Sequence, residues 1–423
     1  MYININSTGR TGKAVIMLLI SFCFVSLARG QKEKGPLQLA DEYFAAGEYY
    51  TAAELYGQYL NPPLKQQNTA SDFPLNIKGK NNAAYNPKMT KAEVLLKQAE
   101  SYRLAHYWDK AAAIYKQYAA DNGKESASAL YWYAICQRSL GNYAVAKETL
   151  EQAKQSAPDK KTAEQINKEL QTLTIIEQQQ QRADSILFTV KKLDAINSSQ
   201  NGVFAVTPAG NNQYIVSSTI KDSVSSAGEN PYRSRLFTAS LVNDQLTELT
   251  PIPFTLDNPM TNAGAATISP DGKYIYFTQW GNREGKNMAL IYYAEKTNTG
   301  WGEAKPLTTI IKEGYSNKQP FCSADGKYLF FSSDRPGTKG KFDIWYAPLK
   351  KDGTTGNAVN AGNSVNTTAN EVAPYYQSSS NTLVFSSDAG SGMGGYDLYA
   401  ARGSAGHWET ASNLGKPVNS SRD

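Results

Sequence analysis

The chain has 423 residues, 41% hydrophobic and 19% charged, which is enough for two or three domains with apolar cores and rules out a disordered polymer. Its formal charge of +5 includes Arg10, Lys13 and Arg29 from the first 30 positions; subtracting these three from 43 basic residues leaves 40 against 38 acidic ones. That balance argues against nucleic acid as a partner, and none is expected.

Residues 1–30 open with basic residues, continue through an apolar run from Ala14 to Leu27, and end in Ala28, Arg29 and Gly30, a small-x-small pattern. This is the pattern of a cleaved secretory signal, so the chain is expected to be exported to the periplasm. The run is shorter than the roughly 20 residues that cross a bilayer, and no later segment is long enough, so no transmembrane span is expected in the mature chain. Cys23 follows bulky Phe22, where a lipoprotein signal has a small residue, which argues against lipid attachment. The remaining Cys136 and Cys322 have apolar neighbours in different candidate domains, which predicts two buried thiols rather than a disulfide.

From Leu37 to Pro158 small residues recur in pairs 12 apart: Ala40 with Ala52, Ala99 with Ala111, and Ala134 with Ala146. An aromatic precedes each second alanine by three positions (Tyr49, Trp108, Tyr143), and a bulky residue follows it by four (Tyr56, Tyr115, Leu150). Two helices cross closely only where side chains are small, with larger ones filling the wedge a turn away. This pattern resembles the tetratricopeptide repeat. The second and third copies are 35 residues apart, against roughly 34 for that repeat. The first and second are 59 apart, which places a loop insertion at 61–90, where Pro62, Pro63, Pro74 and Pro87 oppose a helix. Thr162 to Gln181, with Ile166, Leu170 and Leu173 on one face, is expected to cap the stack. The resemblance implies a repeat domain over 31–183 that docks a partner on its concave face. Arg103 and Arg138 hold equivalent places there, with Phe44 in the first copy, and are the candidate partner-binding residues, although ordinary solvated arginines fit the same pattern.

The second half has a longer period. Phe277, Phe331 and Phe385, in YIYFTQW, YLFFSSD and TLVFSSD, are spaced 54 and 54 apart. Asp271-Gly272 and Asp325-Gly326 mark tight turns before two of these runs, and FDIWY from Phe342 and YDLY from Tyr396 supply further strands. Short strands at a fixed period predict propeller blades. Gly300, Trp301, Gly302 and Glu303 match Gly406, His407, Trp408 and Glu409, with Leu307 and Leu414 closing the pattern. A more divergent first blade is read over Ser185 to Phe254, where Tyr214 and Val216 follow a turn at Asn211 and Asn212 and Leu236 and Phe237 form the later strand. About four blades therefore occupy 184–423.

The order N-E-x-x-P, strand, S-S-D, Gly-rich loop, D-L-Y, W and N-L-G over 370–419 resembles the WD40-like PD40 repeats of bacterial envelope proteins, the TolB-like group. Blade three departs from it, without the Trp and with a longer Asp352 to Thr367 segment. Together with the export signal and helical repeats, the motifs are similar to Bacteroidetes envelope proteins of OmpA type, including PorE-like components of type IX secretion. The resemblance implies a multidomain fold, an all-α tetratricopeptide repeat domain followed by an all-β propeller, with envelope or outer-membrane proteins as partners. In that group the propeller is followed by an OmpA-like peptidoglycan-binding domain that these residues do not contain, so peptidoglycan is expected as a partner only through such a domain. Because residues 421–423 directly follow a blade ending, the propeller is expected to be incomplete.

Catalytic patterns are sparse. His106 and His407 fall in different candidate domains and no G-x-S-x-G occurs, which argues against a histidine-based triad or hydrolase domain. The Gly-rich stretch Gly390 to Gly395 lacks the Lys-Ser/Thr ending of a phosphate-binding loop and reads as a hairpin. Asp334 with Asp343, and Asp388 with Asp397, recur blade by blade, which suits loop fixing better than catalysis or calcium. No metal or cofactor and no enzymatic activity is expected. The reading is a periplasmic scaffold associated with the outer membrane; the alternative is a glycan or cell-wall binding propeller using exposed aromatics.

Overall fold

The computed structural model describes residues 35–62, 89–122, 127–156, 159–181, 190, 202–210, 212–221, 232–243, 245–246, 249–253, 256, 261–283, 285–390 and 392–421. The signal segment, nearly all of the 61–90 insertion and the join at 183–184 lie outside them. Among the described residues seven helices precede the sheets: α1 Pro36–Ala45, α2 Tyr49–Leu60, α3 Lys91–Leu104, α4 Trp108–Asn122, α5 Ala127–Ser139, α6 Tyr143–Gln155 and α7 Lys160–Gln180. No helix among the described residues is long and apolar enough to cross a membrane.

Ala40, Ala52, Ala99, Ala111, Ala134 and Ala146 are all fully buried, where a larger side chain would hold neighbouring backbones apart. Three helices end in the same double closure. Gly47 and Glu48 amides donate to the Phe44 and Tyr43 carbonyls at 3.1 and 2.9 Å; His106 and Tyr107 to Arg103 and Tyr102 at 3.0 and 2.9 Å; Gly141 and Asn142 to Arg138 and Gln137 at 2.9 and 2.8 Å. This closure needs a left-handed residue, and the φ angles of Gly47, His106 and Gly141 are +81°, +61° and +84°. His106 therefore carries a Cβ where the other copies have glycine.

The chain forms two compact units, Met1–Cys136 and Gln137–Asp423. This corrects the expected division into an all-α tetratricopeptide repeat domain and an all-β propeller. The second unit contains the last turn of α5, α6 and α7 as well as all four sheets, so it mixes helix and strand. Helical periodicity reveals that a face is apolar but not what covers it, and the buried face of α7, Ile166, Leu173 and Ile176, belongs to the unit that holds the blades.

Four successive sheets make a four-bladed, propeller-like arrangement. Blade one has β1 Val203–Gly210, β2 Gln213–Lys221, β3 Tyr232–Val242, β4 Gln245–Leu246 and β5 Thr250–Pro251; blade two has β6 Asn262–Ile268, β7 Tyr274–Arg283, β8 Lys286–Thr297, β9 Gly300–Trp301 and β10 Lys305–Pro306. Blade three has β11 Asn317–Cys322, β12 Tyr328–Ser333, β13 Asp343–Pro348 and β14 Val359–Asn360; blade four has β15 Glu371–Gln377, β16 Thr382–Ser387, β17 Asp397–Ser404, β18 His407–Trp408 and β19 Ser412–Asn413. Each is an antiparallel meander, and the innermost strands follow one another as β1, β6, β11 and β15.

Successive strand residues point to opposite faces, which explains the paired aromatics of the 54-residue motif. Phe277 joins the core with Ile215 and Leu236 of blade one, while its neighbour Tyr276 packs with Leu329 and Phe331 of blade three. Phe330 in turn packs with Tyr376 and Phe385 of blade four. The runs of blades two and three thus each seal two gaps between blades.

Candidate functional site: a cavity among the innermost strands

Every innermost strand breaks register near its start, and β1 breaks it a second time between Pro208 and Gly210. At the break near the start of each strand one residue is left-handed: Ala205 (φ +50°), Ala265 (+48°), Gln319 (+56°) and Ala373 (+53°). These bulges turn amides towards the preceding blade. Ala265 N donates to Ser217 Oγ at 2.9 Å and Gln319 N to Thr278 Oγ1 at 2.7 Å. Between blades three and four the bond is relayed: Ala373 N donates to Gln319 Oε1 at 3.1 Å, and Ser332 Oγ donates to the same oxygen at 3.4 Å.

Where β1, β6 and β11 meet, a cavity of about 390 Å³ opens beside these bulges, with walls that include Phe204, Trp280, Met288 and Phe342 and polar groups from Asn287, Ser316, Lys318 and Gln319. Gly264 makes room for one wall, since a Cβ there would lie 3.1 Å from the Trp280 ring and 3.0 Å from Ser217 Oγ. Lys318 is half-buried, with its Nζ 3.8 Å from the centre of the Phe342 ring. Burial pushes its ammonium below the ordinary lysine range, against the opposing pull of the Asp334 charge.

The recurring acids are occupied in fixing loops. Asp343 is fully buried and accepts from Lys339 N (2.8 Å), Gly340 N (3.1 Å) and Asn360 Nδ2 (2.9 Å). Asp397 accepts from Met393 N, Gly394 N (3.3 Å) and Asn413 Nδ2 (3.2 Å). The loop amides that a phosphate would need are thereby taken by this carboxylate. Asp334 accepts from Ser316 N at 2.6 Å and Asp388 from Asn370 N at 2.7 Å. Among the described residues no group of three or more His, Cys, Asp or Glu is placed to hold a metal. Cys322 is buried, which pushes its thiol up to about 12, and Cys136 is fully buried.

The residues singled out in the helices have internal roles. Arg103 lies 3.9 Å over the Trp132 ring and 3.6 Å from Glu100. Phe44 is half-buried and meets Tyr49 edge-on at 5.4 Å. Arg138 is buried: its Nη1 donates to the Met393 carbonyl at 2.7 Å and its Nε lies 3.3 Å from Glu169 Oε2. The 3.3 Å pair is an ion pair without hydrogen-bond geometry, since both atoms lack such a partner. Burial raises the Glu169 carboxyl above its ordinary value, more than Arg138 lowers it. Beside them Tyr143 Oη and Ser421 Oγ are 3.0 Å apart, so the helical part of this unit is fastened to blade four at two points.

Two features escaped the sequence reading. Lys110 sits among Tyr50, Tyr102 and Tyr107 at 5.1, 4.9 and 5.5 Å from the ring centres and 3.2 Å from Glu54, and burial with the Glu54 bond pushes the Tyr102 hydroxyl up to about 12. Asn366 and Asn419 clamp β13 and β17: each accepts a strand amide and donates to the same residue's carbonyl, Ile344 at 2.8 and 3.0 Å and Leu398 at 2.7 and 2.9 Å. Their signal was available, because both sit at the same place in successive blades.

No protein-family model matches the chain, and no curated protein does. Among solved structures it is similar to a Hadza microbial sialidase, at 11% identity and a TM-score of 0.35 over 53% of this chain and 49% of that one. A puromycin hydrolase gives 11% and 0.33 over 54% and 40%. An alpha-L-arabinofuranosidase from Lactobacillus brevis gives 14% and 0.31 over 51% and 76%. The chain thus spans less than half of the first two. All three are named as enzymes, which corrects the expectation that this chain has no enzymatic activity: its blades give no ground for excluding such chemistry.

Proposed function

We propose that this chain is a binding scaffold of the bacterial cell envelope, exported by removal of residues 1–30, held in the periplasm in association with the outer membrane, and presenting rigid faces to envelope or outer-membrane proteins. The observation that carries this reading is the fastening of helices to blade four through Arg138, Glu169 and Met393 and through Tyr143 and Ser421. A surface held this way loses little conformational entropy when a partner docks. The motif order over 370–419 supports the finer part of the proposal, a PD40, TolB-like propeller in an OmpA-type, PorE-like protein of type IX secretion. Peptidoglycan binding is assigned to no residue of this chain.

The test is fractionation of a Bacteroidetes host followed by crosslinked affinity capture of the tagged mature chain, with an unrelated periplasmic protein as control. Recovery in the envelope fraction with outer-membrane proteins enriched over the control supports the proposal. Retention in the cytoplasm, or no enrichment, overturns it.

A further inference from the structure

Aligning the four innermost strands on their bulges puts Phe204, Gly264, Lys318 and Val372 at one register and Ala205, Ala265, Gln319 and Ala373 at the next. Three blades place apolar or glycine residues there, and blade three places a cation and an amide. Gln319 has a structural reason, since its Oε1 receives the Ala373 amide that a hydroxyl serves in other blades. Lys318 has none of this kind. Among the described residues no carboxylate lies within ion-pair distance of its ammonium, which rests on the face of Phe342 at the wall of the cavity.

A cation drawn out of water without a counter-ion is costly, and the cost falls when an anion joins it in the same low-dielectric space. We propose that this cavity binds a small organic carboxylate, with its charged end on Lys318 and its apolar or ring-bearing body between Phe204, Trp280 and Phe342. The volume, about 390 Å³, lies in the range of roughly 300–1,000 Å³ typical of small-molecule sites. A single ammonium is a point charge rather than a fork, and the walls beside it are apolar. Both features select a monoanion with a hydrophobic body over phosphate, whose dianion would bury a second, unmatched charge. The site is independent of the scaffold reading, since it needs no protein partner.

The test is calorimetry and saturation-transfer NMR on the whole mature chain, using 3-phenylpropionate and cyclohexanecarboxylate beside their neutral amides. The carboxylates should bind saturably and at least tenfold more tightly than the amides. Lys318→Met, which keeps the length and removes the charge, should erase that preference while circular dichroism stays that of the parent. Phe342→Ala should weaken acid and amide alike. Equal binding of acid and amide, no binding by either acid, or undiminished acid binding by Lys318→Met would each overturn the proposal.

Discussion

Replacing Arg138 by Met should be among the costliest single changes in the second unit. The side chain is 10% exposed and Glu169 is 18% exposed, so both ends of the pair are largely withdrawn from water. The substitution removes a charge-assisted bond to the Met393 carbonyl, which contributes about 1.5–3 kcal/mol. It also leaves Glu169 buried without its cation, and breaking such a pair from one side costs about 3–5 kcal/mol in total. The loss should be larger at pH 8 than at pH 5, because at lower pH Glu169 escapes the penalty by taking a proton. Hydrogen exchange suits the assay, since a chain of two units need not unfold in one step. Amides of Gly394 to Tyr399 and of α7 should lose protection together. A double-mutant cycle with Glu169→Leu should return much of the loss, with a coupling of about 2 kcal/mol. A cost under about 1 kcal/mol at both pH values, or strictly additive effects, would refute the reasoning.

The Glu169 carboxyl is raised by folding, so the folded unit holds its proton more tightly than the unfolded chain. Stability should therefore fall as pH rises from the ordinary value of 4.5 through the raised folded value and then level off. Glu169→Gln should flatten that segment of a pH-stability curve, and an unchanged curve would contradict the assignment. His106→Gly should gain about 1 kcal/mol by relieving the left-handed backbone, whereas Gly141→Ala should lose about as much, both read from thermal unfolding. Gly340→Ala would drive its Cβ into the Ala369 carbonyl oxygen and should cost at least about 2 kcal/mol, seen as lost exchange protection where Lys341 N bonds that carbonyl.

Local rules carried much of this fold from the sequence. The alanine pairs marked close helix crossings because only small side chains allow them, and the 54-residue period marked blades because each repeats the same strand alternation. The recurring aspartates were legible as loop-fixing groups for the same reason. What stayed hidden depends on partners distant in the chain. Arg103 and Arg138 occupy equivalent places in their repeats, yet one lies on Trp132 and the other reaches Met393, 255 residues further on. The mixed second unit follows from such contacts, which no helical periodicity encodes. The cavity was hidden too, since it forms only where three strands converge. Its trace in sequence was the Lys318-Gln319 pair at a register that three other blades fill with apolar or glycine residues.

The envelope-scaffold reading is tested most directly by photo-crosslinking in the native host, with a photoreactive phenylalanine at exposed Tyr59, Tyr375 or Tyr396, which are 38%, 42% and 43% accessible. The account predicts adducts with outer-membrane or other envelope proteins from a chain that begins after residue 30. A chain that keeps those residues in the cytoplasm, or one that forms no envelope adduct from any of the three positions, would contradict it.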